Sequence, residues 1–237
     1  MQTPEPSHRP TAAQGEERGA ALALLPIAAT VDYYALPGWL QEQTWVQLAP
    51  QIIAYLACAL WATHNPGLVS RFGLEEQKVG CGARWGLLIG LALGCANSLV
   101  VLQLFPYMGY DIAFLKHTPH AQLPVFLMIP WFICGIALFV EFNFRGFLLG
   151  RLLKMEEALF GASRPILVSA LAVSISALVF AFDPFMTHTF RELHWIAVWD
   201  GAVWGAFWVS TRNLYVPIVA HAVEVIVMYS VVRSALM

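Results

Sequence analysis

Long apolar runs separated by short polar stretches make up most of the chain from residue 20 onwards. A bilayer core about 30 Å thick requires about 20 apolar residues per helix. By that measure the pattern predicts spans at Ala20–Leu36, Trp45–Thr63, Trp85–Phe105, Leu123–Leu149, Pro165–Phe182, Trp195–Ser210 and Tyr215–Leu236. An eighth span follows if one of these seven is split. The predicted fold class is therefore all-α, a polytopic membrane protein with about seven or eight transmembrane helices.

The same pattern divides the chain into three parts. Residues 1–19 are rich in Pro, Glu, Ala and Thr and lack an apolar core, so they predict a disordered tail and not a signal peptide. Residues 20–122 contain the N-terminal transmembrane helices. Residues 123–237 contain the last four predicted spans, which we expect to form the core of the protein.

Composition agrees with a membrane protein: 59% of the residues are hydrophobic and 12% are charged, against about 25% charged in soluble domains. The net charge is −2 and no basic run occurs, so nucleic acid is excluded as a partner. Arg145 apart, nine of the Lys and Arg residues are placed by these spans on the side of the membrane that holds the N-terminus, and three on the other side. This asymmetry predicts a cytoplasmic N-terminus in the cell (inner) membrane, with lipids as partners.

Glycines recur at helical spacing in two predicted spans. Gly86, Gly90 and Gly94 follow each other at intervals of four residues, as do Gly201 and Gly205. Small residues at this interval let helix backbones approach closely in lipid, so both sets predict helix packing.

The sequence contains none of the common motifs that bind a metal ion or a phosphate group. The four cysteines show no Cys-x-x-Cys spacing, and neither a His-Glu-x-x-His motif nor a glycine-rich phosphate loop occurs. No cofactor and no metal site are therefore predicted, although the sequence leaves a metal requirement open.

Glu141 and Arg145 lie in the middle of an apolar run. A charged side chain at membrane depth costs roughly 2.5–3.5 kcal/mol, so it is normally kept for a partner or a task. Their spacing of four residues places both on one face of a helix. They either neutralise each other as a structural ion pair or point together into a polar cavity.

Other polar residues also fall within or beside the predicted spans. They are Asp32, Asn97, Asn143, Asp183, Asp200, His221 and Glu224. His221 and Glu224 are three residues apart and share a helix face. Buried ionisable groups that converge usually define a site. Each also has a structural interpretation: Asp183 precedes Pro184 and is typical of a turn cap, and His221 fits a hydrogen-bonded packing residue.

Two segments resemble motifs of a known family. The stretch Val140–Leu148 resembles the Glu-Glu-x-x-x-Arg motif of the type II CAAX prenyl endopeptidases, also called the CPBP family. The stretch Gly201–Ala222 is similar to the last motif block of that family, in which a Gly-x-x-x-Gly helix, an Asn-Leu turn, a Pro and a His-Ala step follow in order. The resemblance covers Leu127 to Ser230.

Members of this family are intramembrane glutamic endopeptidases. The resemblance implies that Glu141 activates a water molecule and that His221 assists it, with Arg145 as the anchor of the motif. Asp183 and Glu224 are the remaining polar groups of the implied catalytic site. The implied substrate is a membrane-associated or lipidated protein or peptide.

Three motif positions differ from the family pattern. Val140 stands where the family has its first glutamate, and Pro184 stands where the second motif, Phe-x-x-x-His, has its histidine. Val225 occupies the polar position of the third motif, directly after Glu224.

These departures leave alternatives open. In a divergent enzyme, His188 or His194 folds back from the loop before the sixth predicted span and supplies an imidazole. Alternatively, the fold persists without peptidase activity, as a membrane scaffold, an immunity protein or a binding protein. A proton-coupled transporter is a further alternative, based on the intramembrane acids and weakened because no internal repeat is evident.

Overall fold

The computed structural model describes residues 17–160 and 165–236, and every regular element in these ranges is a helix. The predicted all-α class is confirmed. Nine α-helices of seven or more residues occur in these ranges: α1 Leu24–Ala35, α2 Ala49–His64, α3 Val79–Leu99, α4 Cys134–Glu141, α5 Gly150–Phe160, α6 Pro165–Ala181, α7 Pro184–Phe190, α8 Ile196–Thr211 and α9 Tyr215–Leu236.

Shorter elements connect these helices. Short α-helical turns lie at Gly38–Gln41, Thr44–Gln47, Leu68–Phe72, Phe105–Tyr107, Pro119–Gln122 and Val125–Leu127, and 3₁₀ turns at Ala20–Ala23, Glu76–Lys78, Ala113–His117 and Arg191–Trp195. The segments Val100–Leu104, Met128–Ile133 and Phe142–Leu149 have the wider π-helical turn. Because the π-helical segments continue from one α-helix into the next, they belong to longer composite helices.

Among the described residues, three composite helices are long and apolar enough to cross a membrane: Leu68–Tyr107, Val125–Phe160 and Tyr215–Leu236. The pair Pro165–Ala181 and Pro184–Thr211, bent by 53°, makes a fourth if it is one broken span. The count of seven or eight spans is therefore not confirmed. The first two predicted spans contain helices of only 12 and 16 residues, which is shorter than the roughly 20 residues that a bilayer requires.

The helices α3 and α9 run parallel and touch through glycines. A methyl group added at Gly86 would lie 2.6 Å from Cβ of Val219, and one added at Gly94 would lie 2.8 Å from Cβ of Val227. Because the contact positions rise together along both helices, the helices point the same way. The packing role predicted for these glycines, with Gly90 between them, is confirmed.

A second glycine contact joins α6 and α8, which run antiparallel. A methyl group at Gly201 would lie 3.1 Å from Cβ of Ala177, and one at Gly205 would lie 3.2 Å from Val173. A methyl group at Gly201 would also approach the guanidinium of Arg145 to 3.1 Å. This glycine therefore leaves room for a buried charged side chain.

Gly90→Leu is expected to destabilise the protein by about 1–3 kcal/mol, because an added side chain must push α3 and α9 apart. Even Cβ alone would lie 2.6 Å from the carbonyl oxygen of Ala220. Thermal unfolding in detergent micelles measures the loss. Gly80→Leu is the matched control, since nothing lies within 4 Å of a methyl group there. Equal midpoints for the two variants would contradict the packing role.

The predicted tail at residues 1–19 falls largely on residues 1–16, which lie outside the described residues. The described part begins at Glu17, whose carboxylate pairs with Arg71 and Arg151. It also accepts a hydrogen bond from Nε1 of Trp61 at 3.2 Å. Glu17 thus contacts the helical core directly. The boundary between residues 122 and 123 stays a prediction, and the contact between α3 and α9 crosses it.

Candidate functional site

Glu141 links two helices at the centre of the protein. Its Oε1 accepts hydrogen bonds from Nδ1 of His221 at 2.8 Å and from a terminal guanidinium nitrogen of Arg145 at 3.1 Å. Glu141 and Arg145 are both 0% exposed. The ion pair suggested by their spacing therefore forms, and the same carboxylate also contacts the histidine of the last motif.

The backbone changes character at this point. The helix α4 ends at Glu141, and the π-helical segment Phe142–Leu149 begins directly after it. Such wide turns inside a helix are frequent at functional sites. Arg145 lies in this segment, with its guanidinium 4.8 Å from the ring centre of Phe180 and 5.1 Å from that of Trp204. Contacts with aromatic faces stabilise a cation that has left water.

Stacking and hydrogen bonding fix the ring of His221. The ring stacks on Trp204 with centroids 4.4 Å apart and planes inclined by 19°. A carboxylate only accepts hydrogen bonds, so Nδ1 of His221 donates to Glu141 and Nε2 of the neutral ring is an acceptor. The arrangement presents a histidine whose basic nitrogen is Nε2.

A second polar cluster connects three helices. Nδ2 of Asn97, on α3, donates to both carboxylate oxygens of Asp200, at 3.0 and 3.1 Å, and to Oε1 of Glu224 at 2.8 Å. Nε1 of Trp199 donates to Oδ1 of Asn97 at 2.9 Å. Because an indole N–H only donates, this bond fixes the amide so that its NH₂ group faces the two acids.

The two clusters border one cavity of about 640 Å³. Its polar lining includes Asp183, Asp200, His221 and Glu224, and Trp204 also borders it. Glu141 and Arg145 are absent from the described residues that line it. His221 therefore lies between the buried ion pair and the cavity.

Asp183 reaches the cavity from the break between α6 and α7. Its carboxylate accepts hydrogen bonds from the backbone N–H groups of Phe185 and Met186 and from Nε2 of Gln51. Pro184 is the first residue of α7, where the missing N–H is not needed. The capping interpretation of Asp183 is thus confirmed, and the side chain also borders the cavity.

The two loop histidines do not join His221. His188 is exposed on α7, and His194 packs against Phe182 and Trp195. Neither is among the described residues that line the cavity. The short helix α7 and the following 3₁₀ turn place both rings outside it.

Sequence reasoning did not assign Asn97 and Asp200 to the site. Both belong to the intramembrane polar set, but they are 103 residues apart and no spacing rule connects them. The available signal was an amide and an acid in apolar runs, each of which requires a partner. No group of three or more His, Cys, Asp or Glu side chains in residues 17–160 and 165–236 is arranged to hold a metal ion.

Fold and site together define an integral membrane protein with a Glu–His pair and an acid–amide cluster beside an apolar cavity. Residues 121–227 match the family model described as type II CAAX prenyl endopeptidase Rce1-like. The resemblance inferred from the motifs is confirmed over this segment, a little under half of the chain. At the family level the match supports a CAAX-protease-like intramembrane peptidase. Membrane-associated substrates fit a family of this kind. Comparisons with curated proteins and with solved structures gave no match.

Proposed function

We propose that the protein is an intramembrane glutamic-type endopeptidase that cleaves a membrane-associated or lipidated protein. The hydrogen bond of 2.8 Å between Glu141 and His221 carries this proposal. It joins residues 80 positions apart, and both lie in the segment that matches the peptidase family. A carboxylate behind an imidazole is an arrangement that makes the ring a general base.

Glu141 activates the attacking water through the ring of His221, which accepts the water proton. Nε2 of His221 takes it, and the imidazolium that forms is stabilised by Glu141 through Nδ1–H. The family resemblance assigns the proton directly to Glu141. The cavity lining favours the route through the ring, because His221 borders the cavity and Glu141 does not. Arg145 holds the carboxylate in place.

The cavity suits an apolar peptide segment. Aromatic side chains form much of its wall: Tyr55, Trp131, Phe132, Phe139, Phe144, Phe180, Phe185 and Phe190. Apolar walls with a few polar groups are typical of sites that bind and orient a ligand. Where a bound peptide excludes water from such a site, a positioned donor or base acts more strongly than in water.

The test uses the full chain, purified and reconstituted into phospholipid vesicles with a panel of quenched-fluorescent apolar and lipidated peptides. Glu141→Gln is expected to lower the cleavage rate roughly 10²–10⁴-fold, because the amide cannot stabilise the imidazolium. Mass spectrometry identifies the cleaved bond. Glu157→Gln, at an exposed ion pair with Lys154, is the matched control and should cleave normally.

Thermal unfolding shows whether the Glu141→Gln protein is folded. A wild-type protein that cleaves no peptide of the panel, or a folded Glu141→Gln variant as fast as wild type, would overturn the proposal. Either result would favour a membrane scaffold or binding protein of the same fold.

A further inference from the structure

We propose that Asp200 and Glu224 share one proton and act as the general acid that protonates the leaving nitrogen of the cleaved peptide bond. Asn97 is the positioning residue that holds the two carboxyl groups together. The inference rests on the proposed function and assigns a second proton-transfer group to the same cavity.

The geometry of the acid pair supports a shared proton. One amide nitrogen, Nδ2 of Asn97, lies within 3.1 Å of both oxygens of Asp200 and of one oxygen of Glu224. The two carboxyl groups are also within hydrogen-bonding reach of each other. Both side chains are buried, at 3% and 2% exposure. Two carboxylates this close in a buried site cannot both be ionised, so we assign one shared proton to the pair.

Two buried polar atoms beside the pair lack partners. Apart from the proton that Glu224 shares with Asp200, Nε1 of Trp204 and Oε2 of Glu224 form no hydrogen bond within the part of the chain that the structure describes. Both residues border the cavity, and both are 2% exposed. A buried polar group without a partner is unfavourable, so a guest that pairs with both atoms is stabilised.

A peptide group complements this pair of atoms. It carries one acceptor, the carbonyl oxygen, and one donor, the N–H group. The indole N–H of Trp204 matches the carbonyl oxygen, and the carboxyl group of Glu224 matches the nitrogen. A peptide bound in this way has its carbonyl beside His221, which stacks on Trp204. Its leaving nitrogen then lies beside the acid pair.

The resulting hydrolysis is balanced in atoms and protons. The oxygen of water bonds to the carbonyl carbon while one water proton passes to His221. The carbon–nitrogen bond then breaks, its electron pair goes to nitrogen, and nitrogen takes the proton held between Asp200 and Glu224. The proton on His221 returns to the acid pair. The products are a carboxylic acid and an amine.

The residue that positions the acid pair lies outside the matched family segment. Asp200 and Glu224 lie inside residues 121–227, whereas Asn97 lies outside them on α3. The motif positions held by Val140 and Pro184 carry no ionisable group in this chain. The acid pair therefore supplies a proton donor in a chain that lacks the ionisable residues of the family motifs at these two positions.

A change of leaving group tests the assignment. A peptide cleaved by the wild-type protein is compared with its ester analogue, in which oxygen replaces the scissile N–H. An alkoxide leaves more readily than an amide anion, so the ester depends less on a general acid. Glu224→Gln is expected to slow peptide cleavage roughly 10²-fold or more, and ester cleavage less than about tenfold.

Asp200→Asn is the second variant and should show the same selective loss. If one of the two variants folds poorly, the other still tests the assignment. Both substitutions keep the side-chain shape and leave an amide to hydrogen-bond with its neighbours. His221→Asn should slow both substrates equally, because the base acts in both reactions. Glu157→Gln should slow neither.

Asn97→Ala tests the positioning role. It is expected to lower kcat for the peptide with little change in KM and to shift the pH–rate profile. Glu141, Arg145 and His221 are the other charged or titratable groups beside the pair. A purely structural role for Asn97 would lower stability and leave the pH profile unmoved.

The outcomes separate this inference from the proposed function. If the wild-type protein cleaves neither substrate, both fail. If it cleaves both, and folded Glu224→Gln and Asp200→Asn variants slow them equally or not at all, the acid assignment alone is overturned.

Discussion

Replacing Arg145 with methionine is expected to destabilise the folded protein by about 3–5 kcal/mol. The substitution preserves much of the apolar stem but leaves the carboxylate of Glu141 buried at 0% exposure, with His221 as its remaining partner. It also removes the cation that faces the rings of Phe180 and Trp204. Chemical or thermal unfolding in detergent micelles measures the change in the free energy of unfolding.

The chain contains a matched exposed pair for comparison. Lys154 and Glu157 form an ion pair at 2.9 Å with side chains 56% and 43% exposed. Lys154→Met should therefore cost no more than about 1 kcal/mol. The double variant Arg145→Met with Glu141→Gln should regain most of the lost stability, because no buried charge remains unpaired. An Arg145→Met variant as stable as Lys154→Met would refute the buried-charge argument.

Glu141→Gln and His221→Asn should each lower kcat/KM roughly 10²–10⁴-fold, and the double variant should be little worse than either. The physical reason is that both residues act on one proton: the ring accepts it and the carboxylate stabilises the charged ring. Losing either member interrupts the same path. Steady-state kinetics of the wild-type, single-variant and double-variant proteins on one peptide provide the measurement.

The comparison of the single and double variants also distinguishes the two routes by which the proton of water could be taken up, through His221 or directly by Glu141. If Glu141 took the proton of water without the ring, the two residues would contribute separately, and the losses would multiply in the double variant. Multiplied losses would therefore contradict the route through His221, but they would not contradict the proposal that the protein is a peptidase.

Much of the fold class follows from local pattern. Apolar runs indicate membrane helices because the bilayer imposes a fixed length, and the spacing of Gly86, Gly90 and Gly94 indicates a close helix contact. The number of spans does not follow in the same way. Hydropathy does not report where a helix ends, as at Ala35, or where two runs join through a π-helical segment such as Phe142–Leu149.

The site shows the same division between local and distant information. Spacing alone places Glu141 beside Arg145 and His221 on one face with Glu224, and the structure contains both arrangements. The contact between Asn97 and the acids depends on helices that meet only after folding. Spacing along the chain carries no signal for such a meeting. The position of His188 could not be predicted from the sequence either, because it depends on where α7 begins and on its direction.

The glycine contacts between α3 and α9 have a consequence for any attempt to shorten or recombine this protein. Asn97 lies on α3 and Glu224 on α9, and these two helices are in close contact. The amide that hydrogen-bonds with the acids therefore belongs to a helix that precedes the family-matched region. A fragment limited to residues 121–227, or a chimera that grafts that region onto foreign N-terminal helices, would lack this amide. The smallest transplantable unit therefore includes α3.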